Sequence, residues 1–419
     1  MKVFKFGGAS VKDARAVLNV VSVLDRYKGE PVLVVVSAMG KSTNALEKIL
    51  QLWFDNGSYY SELNELFEFH RNIIGGINEL LQTTIDSSSF DNYCTELVSL
   101  LADKPQFTFD QHYDALVSYG ELLSTAIVSA ALQASHKDAV LFDVRQCVKT
   151  NNRFRSATVN WEKSAAAFHR LSTQIGLHAI VITQGFIGES DEGFTTTLGR
   201  EGSDYSAAIL AYLADANSVT IWKDVPGMLN ADPRLFPDAV MLPKISYREA
   251  IELSYYGASV IHPKTIQPLQ NKGIPLYVKS FLNPENSGSA IQQDDSADKD
   301  VPSFIIKQNQ VLVSVTTRDF SFIVEEHLSE IFDALAKCGI KINVMQNSAI
   351  SFSFCIDEDE RKFNQFREIL KPTYSLRFNS GMSLLTIRHY NDEVIGKLIK
   401  GREILLEQRS RTTLRVVMR

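Results

Sequence analysis

The sequence predicts an α/β protein with a mostly parallel central sheet, followed by a pair of small α+β modules. Three observations carry that prediction: short β-branched apolar runs that each end in small or polar residues, helical spacing between those runs, and a polar stretch at 283–301 after which the pattern changes to shorter units. At 419 residues the chain is too long for one ordinary core and suits two or three domains. An apolar share of 45% is that of a globular protein.

Taken in order, the chain opens on a strand that ends in KFGGAS, residues 5–10. Adjacent glycines let backbone N–H groups approach a ligand without interference from Cβ, and Lys5 adds positive charge, so the hexapeptide reads either as a phosphate site or as a strand closing in a tight turn. VLVVV at 32–36 leads into Ser37-Ala38-Met39-Gly40, residues 179–182 into Thr183-Gln184-Gly185, and 219–222 into Lys223-Asp224. Continuous apolar runs suit parallel strands covered on both faces, and ligands of open α/β sheets sit beyond the carboxyl ends of the strands. These loops and KFGGAS are therefore expected on one sheet edge.

Residues 44–135 are mostly helical in pattern and contain Ser118-Tyr119-Gly120-Glu121. Asp191-Glu192-Gly193 reads as a hairpin turn, and 203–214 as a helix with Ser203 as its N-cap. The stretch 283–301, with Pro284, Gly288 and Asp294-Asp295, reads as a linker. Beyond it, strands are expected at 303–307, 311–316, 340–345 and 350–356, with helices near 326–338 and 359–370. A shorter second run has strands near 384–388, 404–407 and 413–418, a weak repeat that points to two small modules.

Composition excludes several classes. No segment approaches the ~20 uninterrupted apolar residues of a membrane span, and Lys5 and the glycines interrupt any signal-peptide core. Cys94, Cys147, Cys338 and Cys355 are too far apart for a CxxC motif or a dense disulfide framework, so a reducing cytoplasm is the expected setting. A net charge of −6 gives no overall basic footprint, which argues against nucleic acid as a partner. An anionic ligand needs a local cationic pocket.

The most informative segment is TTTLGREGSDYSAA at 195–208. Arg200 lies among glycines, where its fork can grip a carboxylate or phosphate bidentately, and Asp204 stands in the opening turn of a helix. Taken singly, Arg200 reads equally well as a surface ion-pair partner, and Asp204 as an acid favoured by the helix dipole.

KFGGAS, SYGELLSTA, TTTLGREGSDYSAA, WKDVPGMLNADPR and YYGASVIHP, in that order and spacing, resemble the aspartate kinases of the amino-acid kinase family. The resemblance runs from residue 1 to about 290, and the tail is similar to the paired ACT modules such kinases carry. It implies an amino-acid kinase open sandwich with a mostly parallel central sheet at 1–290, then a regulatory region at 303–419 with two ACT-like modules, 311–379 inserted between 303–308 and 382–419. It implies ATP-dependent phosphorylation of the L-aspartate side-chain carboxylate to 4-phospho-L-aspartate, for lysine, threonine and methionine biosynthesis. Other members of the family, acting on acetylglutamate, glutamate or uridylate, and a catalytically silent amino-acid sensor are the competing readings.

Carried over residue by residue, the resemblance implies that Lys5 holds the transferring phosphoryl group, with the Gly7 and Gly8 N–H groups as donors and Asp204 orienting Lys5. Arg200 and Ser203 face the second carboxylate of aspartate, Glu121 its ammonium, and Thr43 and Ser37 the reacting end. Lys223, Asp224, Leu229, Arg234 and Ser259 lie along the nucleotide. Mg²⁺ is implied by ATP chemistry, and no cluster in the sequence identifies protein ligands for it. The chain departs from the family pattern at Ala9, where threonine is usual, at Leu229, where tyrosine is frequent, and at Ser259, where many relatives have a lysine whose charge Lys223 or Lys264 is expected to replace. His262 is given no role. INVMQNSAIS at 342–351 resembles the effector segment of lysine-sensitive relatives, with Asn343 where an acidic residue is frequent, so lysine or threonine is the expected regulator of a homodimer paired through the tail. The chain ends shortly after the second module, so no fused homoserine dehydrogenase is expected.

Overall fold

The computed structural model describes every residue except Lys28, Ser259, Val260 and Phe320. The chain forms two compact units, one of Met1–Met228, Met241–Ile251 and Val260–Asp295, the other of Leu229–Val240, Glu252–Ser259 and Ser296–Arg419.

The first unit is built on an eight-stranded sheet. Its strands, in spatial order, are Ala139–Phe142, Ile180–Gln184, Val32–Val36, Lys2–Phe6, Ser218–Lys223, Leu276–Ser280, Ser289–Gln292 and Lys244–Ser246. The first six are parallel to one another. Phe6 pairs with Val36 and Trp222, and Val36 with Gln184, so the loops after these four strands open on one edge, as the apolar runs predict. VLVVV is buried at every position, because helices cover both faces. Two of these, Tyr119–Ala134 and Gly202–Leu213, are themselves almost wholly buried; their many Ala and Ser side chains let them lie close to the sheet. The span Phe109–Ala134 is long and apolar enough to cross a membrane, yet 89% of its 18-residue apolar stretch is buried inside the fold, the mark of a core helix.

Trp222 anchors the centre of this core. Its ring stacks on Phe6 with centroids 6.0 Å apart and meets Phe4 edge-on at 5.7 Å. Truncation of so large a buried aromatic costs about 3–5 kcal/mol, so Trp222→Ala is the single change best placed to unfold the sheet.

Two expectations are corrected in this unit. The helix after Arg200 begins at Gly202, and the residue before it, Glu201, takes a left-handed φ of +54° with no side-chain cap, so Ser203 is inside the first turn and not its N-cap. The polar stretch after 283 is not all linker: it contains strand Ser289–Gln292, antiparallel to Leu276–Ser280. Gly288 makes that turn possible, with φ +68° and a position where a Cβ would fall 2.2 Å from the Val278 carbonyl oxygen. The hairpin turn is where the sequence places it, between Ile187–Ser190 and Thr195–Thr197, with Gly193 at φ +81°.

The second unit is organised by a six-stranded antiparallel sheet in the order Ile342–Asn347, Phe352–Asp357, Ser303–Thr317, Tyr374–Arg388, Thr413–Met418 and Ile404–Arg409. The separate strands expected at 303–307 and 311–316 are one strand, interrupted by register shifts between Lys307 and Leu312, with Asn309 at φ +53°. Ahead of the irregularity it pairs with 384–388, and beyond it with 374–379 and with Phe352–Asp357. Each half has its own core: Phe354, Phe366 and Ile331 lie in one, Leu385, Ile387 and Leu414 in the other. Helix Asp392–Ile399, capped by the Asn391 side chain on the Val394 N–H, is not among the elements the sequence pattern predicts; Gly396 in its middle weakens the helical signal.

Candidate active site

The shared edge of the parallel sheet opens into a cleft of about 580 Å³. Lys5 enters it from the end of Lys2–Phe6, Lys223 from the end of Ser218–Lys223, and Asp204 from the first turn of Gly202–Leu213. Lys5 Nζ stands 2.5 Å from Asp204 Oδ1, and Lys223 Nζ 3.4 Å from Oδ2. Asp204 is only 2% exposed. Burial alone raises a carboxyl pKa, but the two lysines outweigh it and hold Asp204 below the usual range. The result is a buried, ionised carboxylate held between two lysines that line the cleft.

Glu121 presents the opposite case in the same cleft. It comes from the first turn of Tyr119–Ala134 and is fully buried. Oε1 accepts the Ala38 N–H at 3.1 Å, and Oε2 has no hydrogen-bond partner among the described residues. Burial pushes its pKa up to about 8, against the lowering effect of the Ala38 N–H and the Lys5 charge. A cationic ligand group would ionise it.

Glycine is required where the first two loops cross. A Cβ on Gly8 would lie 2.7 Å from the Ala38 carbonyl oxygen, and the Gly40 N–H donates to the Gly8 carbonyl at 3.2 Å. This crossing sets Ser37 and Gly8 side by side on the cleft wall. Gly7 lies beside Lys5, whose Nζ would be 3.4 Å from a Cβ there, and its carbonyl accepts the Ser10 N–H at 2.9 Å and starts the short helix Gly8–Val11. Thr43 lines the cleft from the first turn of Ser42–Phe54. Behind it, Ser42 Oγ donates to the Met39 carbonyl at 2.6 Å and lies 3.4 Å from Nε2 of the buried His70. Arg200 and Ser203 line the opposite wall, Arg200 with an exposed side chain.

Other residues named for the nucleotide are not brought to this wall. Asp224 is exposed just past the end of its strand. Leu229 and Arg234 belong to the second unit, where Arg234 grips Asp232 through Nε at 3.0 Å and Nη2 at 2.7 Å. Ser259 lies outside the described residues. His262 accepts the Lys264 N–H at 3.1 Å and caps helix Pro263–Lys272, a structural task.

Sequence reasoning gave no role to several lining residues, among them Tyr113, Arg155, Phe186 and Glu201. Glu201 stands inside the quoted 195–208 motif, and its non-glycine side chain between Arg200 and Gly202 is a visible signal. Tyr113 and Arg155 lie in stretches without a recognisable pattern.

The model of the amino acid kinase family matches residues 1–280. Over 360 residues, 85% of this chain, the sequence is 33% identical to lysine-sensitive aspartokinase 3 of Escherichia coli (strain K12), covering 78% of that protein. It is 32% identical over 368 residues to chloroplastic aspartokinase 1 of Arabidopsis thaliana, of whose length the chain spans 63%. The crystal structure of E. coli aspartokinase III with aspartate and ADP has a TM-score of 0.80 to this fold at 27% identity, over all of this chain and 96% of that one. With the parallel sheet, the lysine-bound Asp204 and these relatives together, the chain belongs to the amino acid kinase family and, within it, to the aspartokinases.

Proposed function

We propose that the cleft transfers the γ-phosphoryl group of ATP to the side-chain carboxylate of L-aspartate, giving 4-phospho-L-aspartate for lysine, threonine and methionine biosynthesis. One observation carries this reading: two lysines on the buried Asp204 carboxylate, and a buried Glu121 whose Oε2 has no hydrogen-bond partner among the described residues, face the same cleft. Phosphoryl transfer between oxygens needs positioning and neutralisation of charge more than covalent chemistry. Lys5 is the mobile-charge stabiliser, with Asp204 fixing it and the Gly7 and Gly8 N–H groups directed at the phosphoryl oxygens. Lys223 neutralises the ATP phosphates in place of the lysine that Ser259 lacks. Asp224, just past the end of the Lys223 strand, is left for the remainder of the nucleotide, and Leu229 and Arg234, which belong to the other unit, are given no part in it.

The acceptor carboxylate is already ionised, so no general base is required. Glu121 takes the ammonium of aspartate, Arg200 and Ser203 its α-carboxylate, and Ser37 and Thr43 hydrogen-bond the reacting end. Mg²⁺ accompanies ATP and supplies charge neutralisation between its phosphates. Among the described residues no group of three or more His, Cys, Asp or Glu side chains is arranged to hold a metal.

The tail, in this reading, is two ACT-like modules, 311–379 inserted between 303–308 and 382–419, that pair the enzyme as a homodimer and bind an inhibitory end product. The 303–307 pairing with 384–388 supports that division. Lysine is the first candidate, after the lysine-sensitive relative, and threonine the second. Four free, buried cysteines suit a cytoplasmic setting.

The deciding experiment is ADP release with L-aspartate, L-glutamate, acetylglutamate and UMP as acceptors. Turnover with aspartate alone is expected. Preference for another acceptor, or no turnover with any, overturns the reading. Repeating the assay with millimolar lysine, threonine or methionine, alongside sedimentation, tests the regulatory part; a monomer indifferent to all three removes it.

A further inference from the structure

A second arginine stands at the acceptor end of the cleft, and the fold goes to unusual lengths to hold it there. Arg155 sits at φ +63°, a left-handed conformation that a residue with a Cβ rarely adopts. Its backbone N–H is received by Asp114, at 2.9 Å from Oδ1 and 3.0 Å from Oδ2. Asp114 is completely buried, and the same carboxylate accepts the Thr197 N–H at 2.8 Å and its hydroxyl at 2.7 Å. Thr197 ends the strand that runs directly into Leu198, Gly199 and Arg200. One buried carboxylate thus ties together the two segments that carry Arg155 and Arg200.

The two segments also touch. Gly199 is at φ +78°, and a Cβ on it would lie 3.1 Å from the Arg155 carbonyl oxygen, so glycine is needed there for the Arg200 loop to pass over the Arg155 turn. The Arg155 guanidinium is laid over the Tyr113 ring at 4.3 Å from its centroid, and Tyr113 is in turn fixed by its hydroxyl donating to Glu47 at 2.7 Å. Tyr113, Arg155 and Arg200 all line the cleft. Among the described residues Arg155 makes an ion pair only with Asp110, a loose contact at 3.4 Å with both side chains about half exposed, easily exchanged for a ligand. Stacking leaves the edge of the guanidinium, with its N–H fork, open for a carboxylate.

We propose that Arg155 is a second carboxylate-binding residue of the acceptor pocket, acting with Arg200 on the α-carboxylate of the bound amino acid, and that Asp114 is its positioning residue. The inference rests on the reading of the cleft as an aspartate site. Two arginines on one carboxylate make the pocket selective for an acceptor with a second, non-reacting acid group, because an uncharged group there leaves both forks unmatched.

The test compares wild type with Arg155→Ala and Arg155→Lys, using L-aspartate and its α-amide, which keeps the reacting carboxylate and loses the other. Arg155→Ala is expected to raise the KM for aspartate about 10- to 100-fold, the scale of a hydrogen bond between charged groups. The KM for ATP should stay within about twofold, a split that general damage to the fold does not produce. Preference for aspartate over the α-amide should fall at least about tenfold, and Arg155→Lys should restore part of it by charge alone. Asp114→Asn should weaken aspartate binding in the wild type and add little in Arg155→Ala, a non-additivity that marks action through Arg155. Thr197→Val takes its place if Asp114→Asn does not fold. Unchanged aspartate KM in Arg155→Ala, or an equal rise for ATP, overturns the proposal. Calorimetric binding of L-aspartate separates it from the parent reading: a wild type that binds aspartate without turnover refutes the kinase assignment and still decides the role of Arg155, while one that does not bind it refutes both.

Discussion

The two ends of the cleft bury a carboxylate each and treat it in opposite ways. Asp204 is matched by Lys5 and Lys223 and held ionised; Glu121 receives one backbone N–H, keeps an unpartnered Oε2, and is pushed up to about 8. Burial is nearly complete for both, so burial does not explain the difference. What differs is whether the chain supplies its own counter-charge. A carboxylate compensated from within is machinery for orienting a lysine. One left uncompensated is a socket for a cation that arrives with the ligand, since a buried unpaired acid is costly unless binding relieves it.

The sharpest way to break this comparison is at the compensated end. Lys5→Ala should lower kcat by roughly 100-fold or more, the scale of losing one preorganised charge in the transition state, with the circular dichroism unchanged. Near-normal kcat would show that the Lys5–Asp204 pair is structural. At the uncompensated end, Glu121→Gln should leave kcat within a few-fold and raise the KM for aspartate by about 10- to 100-fold, as expected for removing the charge that receives an ammonium. A fall in kcat with unchanged KM would exchange the roles assigned to the two ends.

Protonation gives a second handle on the open end. The folded-state pKa of Glu121 lies above its unfolded value, so its ionisation opposes folding: the stability it contributes is complete below the ordinary carboxyl pKa of 4.5 and is lost as pH rises toward about 8. In the ligand-free protein the Glu121→Gln variant should therefore show a flatter decline of stability across that window. Binding an ammonium group beside Glu121 must expel its proton. Aspartate affinity is accordingly expected to improve by up to about tenfold per pH unit until pH 8 and then level off. Calorimetry in buffers of different ionisation enthalpy should detect the released proton near pH 7, and binding independent of buffer would contradict the socket.

Much of the compensated end was legible in the sequence, and less of the open one. Strands such as VLVVV announce themselves because both faces are buried, and their carboxyl ends locate the cleft edge without further information. Lys5 and Asp204 stand in glycine-rich motifs whose chemistry is local. Arg155 and Tyr113 could not be read in the same way, because what brings them to the wall is Asp114, a carboxylate that binds segments about 40 and 80 residues away. Hydrophobic periodicity carries no trace of such a staple. The strand Ser289–Gln292 escaped for a simpler reason: four residues are too few for alternation to stand out in a polar stretch. The long strand Ser303–Thr317 was read as two because Gln308-Asn309-Gln310 interrupts its apolar run at the register shift.

Lys223 joins the comparison as the weaker of the two counter-charges, 3.4 Å from Asp204 against 2.5 Å for Lys5. Lys223→Met should raise the KM for ATP by about tenfold while Asp204 remains ionised through Lys5. An equal loss in Lys223→Met and Lys5→Ala would mean that the triad works as one unit, and the two lysines could not be assigned separate tasks.

The smallest expected effect concerns Glu201, a third carboxylate on the cleft wall and a test of whether an uncompensated acid there always signals a ligand. Its Oε2 is buried without a hydrogen-bond partner among the described residues, as in Glu121, but its backbone is at φ +54°. Replacement by glycine removes the left-handed strain, about 1–2 kcal/mol, and the unpartnered oxygen, while the greater freedom of glycine in the unfolded chain takes back about 0.5–1 kcal/mol. The balance is a gain of roughly 1 kcal/mol, read as a rise of about 1–3 °C in Tm. If Glu201 is a by-product of the turn, Glu201→Gly should show this rise with the KM for aspartate and for ATP within about twofold of wild type. If the KM for either ligand climbs tenfold while Tm rises, Glu201 belongs with Glu121 among the sockets, and the strain at this position is the cost of holding a second acid toward the ligand.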